Sequence, residues 1–311
     1  MKNFFLRIFL FCIPIIIIAI GCEIYVRNMP SFYRQKRDQL VANADSIEVL
    51  ILGSSHAADG VDPNQFTLYA HNLAFGSQYI YFDRKLVEKY LPDLPRLKYV
   101  LLDFDYNSLY RDHAIETDFF YKYYYGINYR DRNFYKESFL QSYFVYSPGL
   151  ALSMMLNSLK GGAQNAEWIK GWRNDAGRND KIVMSAEKNK LRAEIMDGIV
   201  KIWQGGDFVL NEFNDFINFL LSKGITPILV SYPNYSLLKS LLDKSVIERN
   251  LRIGNELSQK YQIPFLDFFN DDSFTVSDFV NCDHLNGEGA AKLSKKINEV
   301  IMNLEEKKHE K

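Results

Sequence analysis

The chain is predicted to fold as a doubly wound, mostly parallel α/β sheet behind an N-terminal transmembrane helix. Three observations predict this. Residues 8–22 form an uncharged run, IFLFCIPIIIIAIGC. From Val49 to the C-terminus, short β-rich apolar runs alternate with helical patterns, which implies parallel strands joined by helices. That alternation fails once, between about residues 107 and 206, where a helical and aromatic insertion is expected.

The anchor comes first. Phe4, Phe5 and Leu6 precede the apolar run and Ile24, Tyr25 and Val26 follow it, which brings it to the roughly 20 residues that a spanning helix needs. Pro14 is tolerable there, because helices in lipid accept proline better than soluble ones do. A cleaved signal peptide has the same outline, and Ile18–Cys22 loosely resembles a lipobox. The expectation is an uncleaved single-pass anchor over residues 1–27 and a juxtamembrane helix or linker over 28–45. Lys2 and Arg7 precede the span while Arg27, Arg34, Lys36 and Arg37 follow it, so flanking charge does not orient it.

The α/β domain is expected over 46–311. Val49-Leu50-Ile51-Leu52 is an apolar run ending in Gly53, the signature of a buried parallel strand. Phe82, Leu86 and Tyr90 share one face of a helix around Tyr81–Tyr90, and Tyr99-Val100-Leu101-Leu102 is a second strand. Phe213, Phe216, Ile217, Leu220 and Leu221 mark an amphipathic helix that Gly224 stops. Strands follow at Pro227–Val230 and Ile263–Leu266, and a last helix carries Leu293, Ile297, Ile301 and Leu304. In the insertion, Phe119–Tyr146 holds 13 aromatics in 28 residues, and Gly161–Lys190 reads as polar loop around Trp168 and Trp172. Those rings suit a sugar platform, a small core of their own, or contact with a membrane surface.

Composition removes several functions. A net charge of −1 over 311 residues offers no basic stripe for nucleic acid. Cys12 and Cys22 lie in the apolar run, which leaves Cys282 alone in the body and rules out a disulfide scaffold. There is no CxxC pair and no HExxH, so neither metal nor cofactor is expected. Asp103-Phe104-Asp105 is a DxD without a Gly-rich phosphate loop, and Gly60 and Pro63 break any helix that would align His56, Asp59 and Asp62 on a metal.

Two segments carry chemistry. Leu52-Gly53-Ser54-Ser55-His56 follows the first strand, where a parallel sheet opens into its ligand crevice. Asn281-Cys282-Asp283-His284-Leu285-Asn286 opens the final helix, with Asn286 as its N-cap. A serine within reach of a histidine that a carboxylate orients is what an activated hydroxyl nucleophile requires.

Gly53-Ser54-Ser55, Asn72…Gly76 and Asp283-His284-Leu285-Asn286 together resemble the SGNH/GDSL hydrolase superfamily. The closer resemblance is to its membrane-anchored bacterial branch, which includes alginate O-acetylation proteins and the D-alanine transfer protein of teichoic acids. It covers about Ser46 to Leu304 without the insertion. The resemblance implies a flavodoxin-like sheet, Ser55 as nucleophile, His284 as general base, and an oxyanion hole built from the N–H groups of Ser55 and Gly76. Two positions depart from the pattern. Asn281 stands where the family has an aspartate three residues before its histidine. That leaves Asp283 as orienter, although adjacent side chains tend to diverge. Asp105 stands in the slot of the oxyanion asparagine, where a carboxylate would repel the oxyanion; Asn107 replaces it if the register slips by two.

The functional expectation is a membrane-tethered serine esterase or O-acyltransferase, its body outside the cytoplasm. Its substrate would be an acylated cell-envelope or exported polysaccharide, with a membrane acyl-donor protein as partner in the transferase case. The alternative is a non-catalytic module of the same fold that binds glycan or scaffolds a polysaccharide assembly, which Asn281 and Asp105 favour.

Overall fold

The computed structural model describes residues 2–29, 31–111, 119–129, 147–159, 167–174, 185–203 and 206–310. The chain divides into two compact units, Gln35–Thr117 with Ala166–Lys311, and Met1–Arg34 with Asp118–Asn165. The segment expected as one insertion therefore contributes to both units.

Among the described residues seven strands occur in chain order: β1 (Val49–Ile51), β2 (Ala70–Asn72), β3 (Tyr99–Asp103), β4 (Glu167–Ile169), β5 (Trp172–Asn174), β6 (Thr226–Ser231) and β7 (Phe265–Asp267). The helices that accompany them are α1 (Lys2–Asn28), α2 (Phe32–Ala42), α3 (Ser55–Gly60), α4 (Ile80–Tyr90), α5 (Pro148–Leu159), α6 (Ala186–Trp203), α7 (Gly206–Ser222), α8 (Ser236–Leu241), α9 (Lys244–Tyr261) and α10 (Gly287–His309).

In the larger unit five strands form one sheet in the order β2-β1-β3-β6-β7, and every pairing in it is parallel. Central strands of such a sheet bury both faces, so they must be apolar throughout, and Val49–Leu52 and Tyr99–Leu102 are completely buried. Side chains alternate between the faces. Val49, Ile51, Tyr99, Leu101, Ile228 and Val230 share a core with Leu293, Ile297 and Ile301 of α10. The intervening residues turn to the opposite face, where α4 packs on β3 and α7 on β6. The fold is thus the doubly wound α/β class expected from the alternation. Because all five strands run the same way, the segments after β1, β2, β3 and β6 emerge along one edge.

One expectation needs correction. Within Gly161–Lys190, residues 167–174 are not loop but the antiparallel hairpin of β4 and β5, turned at Lys170 and Gly171. Its Lys170 O accepts from Asn72 N at 2.8 Å, and Gly171 N donates to Gln39 Oε1 at 2.8 Å. The short segment covers the outer edge of β2, and eight residues with a two-residue turn are too few for a period-2 pattern to stand out.

Gly53 sets the direction of the chain as it leaves β1. Its φ of +118° favours glycine, and a Cβ there would overlap the Asp103 side chain. Gly53→Ala is expected to destabilise the protein by roughly 2–4 kcal/mol, read from denaturant unfolding.

In the smaller unit α1 is one unbroken helix; its segment Phe4–Asn28 is long and apolar enough to cross a membrane, and its large apolar side chains from Phe4 to Ile20 are mostly exposed. A signal sequence near an N-terminus has the same character. The first part of the aromatic run forms a π-helical turn over Tyr121–Tyr125, closed by Gly126 at φ +64°. Tyr33 stacks on Phe120 at 4.9 Å and on Tyr124 at 5.6 Å, and Tyr125 Oη donates to Tyr33 O at 2.9 Å. Tyr121, Tyr124 and Tyr125 are buried, so these rings pack a small core. The aromatics of that run beyond Tyr129 lie outside the described residues.

Candidate active site

The two loops expected to carry Ser55 and Gly76 are locked together by one buried side chain. Asn72, the last residue of β2, donates through Nδ2 to Ala57 O at 3.0 Å and Val61 O at 2.8 Å. Its Oδ1 accepts from Ala74 N at 3.1 Å and from Lys36 Nζ at 3.2 Å. One amide thus ties the ends of α3 to the loop that leads to Gly76. Ser54 caps α3, its Oγ accepting from His56 N at 3.3 Å, while Ser54 N donates to Asp103 Oδ2 at 2.8 Å. Ser55 is the first residue of that helix.

Ser55, Gly76, Asn107 and His284 all line one cavity of ≈ 430 Å³, a size that accepts a small ligand. The backbone N–H groups of Ser55 and Gly76 donate to no acceptor among the described residues, and the Ser55 hydroxyl has no hydrogen-bond partner among them. Asn107 Oδ1 is buried and has no partner among them either.

His284 is held from its Nδ1 side. That nitrogen lies 3.0 Å from Asp283 Oδ1 and 3.1 Å from Asn281 Oδ1. The amide orientation of Asn281 is set by its neighbours: its Oδ1 also accepts from Asp283 N at 3.1 Å and His284 N at 2.8 Å, which only an oxygen can do. Asn281 therefore supplies a neutral acceptor to His284, while the charge comes from Asp283. The expectation that Asp283 diverges from His284 is corrected here. A tight turn, closed by Val280 N donating to His284 O at 2.9 Å, folds the two side chains back together.

Sequence reading missed the next layer. His56 is buried, with Nδ1 against Asp105 Oδ2 in a short contact and Nε2 3.2 Å from Asp283 Oδ2. Two carboxylates need two N–H donors, which only an imidazolium has. Burial opposes that charge, but Asp105 and Asp283 outweigh it and hold the His56 pKa well above its ordinary value. Asp283 Oδ2 also accepts from Arg192 Nε of α6 at 2.6 Å. Burial pushes the Asp283 carboxyl up, but hydrogen bonds from His284 and His56 hold it well below the usual carboxylate range. Asp105, read from sequence as a repulsive group in the oxyanion slot, lines the cavity and pairs with His56 as its counter-ion. His56 is an ordinary residue of a GSSH string in sequence, Asp105 stands out there only as a misfit, and Arg192 carries no signal at all.

Other carboxylates in the wall are held by neutral donors. Asp83 accepts from Gly53 N at 3.2 Å and from Gln78 Nε2, and burial pushes its pKa up to about 8. Burial and the neighbouring Asp105 also raise Asp103. A raised carboxyl leaves the folded state protonated where the unfolded chain ionises, so Asp83 costs stability progressively from about pH 4 up to about pH 8. Asp83→Asn is therefore expected to raise stability at pH 8 by on the order of 2 kcal/mol and to have little effect at pH 4, read from melts at the two pH values.

Ligand atoms of His56, Asp283 and His284 lie within 4.8 Å of one another, a different set from His56, Asp59 and Asp62. Asp62 instead caps the turn at Pro63–Gln65, accepting from Asn64 N at 3.0 Å. Both ring nitrogens of His56 face carboxylates, and Asp283 faces Arg192 and His284. The donor set is filled by protons and a guanidinium, an arrangement that suits a proton-holding network rather than a metal.

No protein-family model matches the chain, and no curated protein matches it. Among solved structures, the chain is similar to a candidate acylhydrolase from Bacteroides fragilis NCTC 9343, at 12% identity and a TM-score of 0.42 over 87% of this chain and 96% of that one.

Proposed function

We propose that the protein is a serine esterase or O-acyltransferase of the SGNH type, with Ser55 as nucleophile and His284 as general base. The observation that carries this reading is the meeting of Ser55 and His284 in one cavity beside the unengaged N–H groups of Ser55 and Gly76. Ser55 Oγ gives its proton to His284 Nε2 as it attacks the ester carbonyl. Asp283 and Asn281 hold the Nδ1–H of His284, which fixes the tautomer and steadies the imidazolium that forms. The N–H groups of Ser55 and Gly76 meet the oxyanion. As the intermediate collapses, the ester C–O bond breaks and His284 passes its proton to the leaving alcohol oxygen, which leaves the acyl group on Ser55. Water then takes that group in an esterase cycle and a sugar hydroxyl takes it in a transferase cycle, each giving its proton to His284 and freeing Ser55. In this proposal α1 tethers the enzyme to a membrane with its body outside the cytoplasm, which suits an envelope or exported glycan and an acyl-donor protein in the same membrane.

The test is active-site labelling with a fluorophosphonate. Wild-type protein is expected to take one label, and Ser55→Ala to take none while keeping its melting temperature. Folded wild-type protein that never labels would sink the catalytic reading and leave the glycan-binding module as its replacement. Ser55-dependent release of acetate, against Ser55-dependent transfer of acetate to a glycan, separates esterase from transferase.

A further inference from the structure

The cavity that holds Ser55 and His284 also holds an arginine that forms no ion pair among the described residues. Arg111 lies on the segment after β3, where its backbone N–H donates to Asn107 O at 3.1 Å and fixes the turn. Its side chain lines the cavity, yet its guanidinium makes no hydrogen bond or ion pair among the described residues. The nearby carboxylates are already engaged. Asp103 accepts from Ser54 N, from Asp105 N at 3.1 Å and from Ser108 Oγ at 2.9 Å. Asp105 is paired with His56, and Asp283 with His56, His284 and Arg192. Burial, together with the like charge of Arg192, outweighs the attraction of Asp103 and pulls the Arg111 pKa below its ordinary value. A part-buried cation that no direct hydrogen bond or ion pair holds costs free energy, and a ligand anion would lower that cost.

We propose that Arg111 binds an anionic group of the substrate, a carboxylate or a phosphate carried close to the ester that Ser55 attacks. The planar guanidinium fork matches either anion with two parallel hydrogen bonds, which a neutral sugar does not offer. The anion site stands on Arg111 itself; only the statement of which bond is cut nearby rests on the Ser55–His284 reading.

The experiment is calorimetric titration of the full-length protein in detergent with glucuronate, glucose 6-phosphate and glucose. At least one anionic sugar is expected to bind and glucose is not, and whichever binds identifies carboxylate or phosphate as the source. Arg111→Gln is expected to weaken that binding at least ~10-fold, with partial recovery in Arg111→Lys. Because an uncompensated charge is removed, Arg111→Gln is also expected to melt no lower than the wild type. Glucose binding as tightly as the anions, no binding of either anion at millimolar concentration, or unchanged binding by Arg111→Gln would each overturn the proposal. So would a large loss of melting temperature in that variant, which would mark a structural arginine. Anion binding through Arg111 without fluorophosphonate labelling would leave this site standing and remove the Ser55 reading; labelling with binding indifferent to Arg111 would do the reverse.

Discussion

His284→Ala is expected to lower turnover of an activated ester such as 4-nitrophenyl acetate by at least ~10³-fold while leaving the melting temperature close to that of the wild type. The activity loss follows from removing the imidazole that faces the cavity beside Ser55 and has its far nitrogen held by acceptors. Stability is expected to change little, because the lost ring contributes one hydrogen bond to a carboxylate that keeps two others, worth about 1 kcal/mol. Turnover and melting are to be measured on the same preparation. A variant that stays folded and keeps more than a tenth of the wild-type rate would show that His284 is not the base.

Asp283→Ala is expected to do the opposite and damage the fold as well as the chemistry. It would leave the buried His56 imidazolium with one carboxylate instead of two and free the Arg192 guanidinium. Breaking a buried pair from one side costs about 3–5 kcal/mol, since the remaining charge stays desolvated. Wild-type stability in denaturant against this variant provides the measurement, and equality of the two would mean that the network does not hold the site together.

The same pair gives a signed pH dependence. The folded pKa of His56 lies above its unfolded value near 6.5, so its contribution is fully present below about pH 6.5 and is lost as pH rises through the folded value. The folded pKa of Asp283 lies below its unfolded value near 3.9, so its contribution is present above about pH 4 and fades on acidification. Melting scans of wild type and His56→Gln are expected to converge at alkaline pH, where His56 loses its proton, and to differ most near pH 5.

Elements built from local pattern are legible in the amino-acid string. The strand at Val49–Ile51 and the helix at Ile80–Tyr90 are decided by runs and periodicities of a few residues, each ended by Gly53 or a turn. The positions of Ser55 and His284 are legible for the same reason: each sits at the junction of a helix with its loop, and the junction is marked by its own residues. The hairpin at 167–174 is not, because its strands are three residues long and are stabilised by Gln39 and Asn72 from far along the chain.

Local pattern therefore dictates the apolar N-terminal helix, the parallel α/β class, and the two segments that meet at the sheet edge. What surrounds those segments is set by pairings between distant parts of the chain. His56 meets Asp105 across 49 residues and Asp283 across 227, and Arg192 reaches Asp283 across 91. No local propensity encodes such pairs, because a buried charge is tolerated only where the fold has already brought its counter-charge within reach. That condition pairs Asp105 with His56, sets Asn281 as an acceptor for His284, and leaves Arg111 as a cavity cation with no ion pair among the described residues.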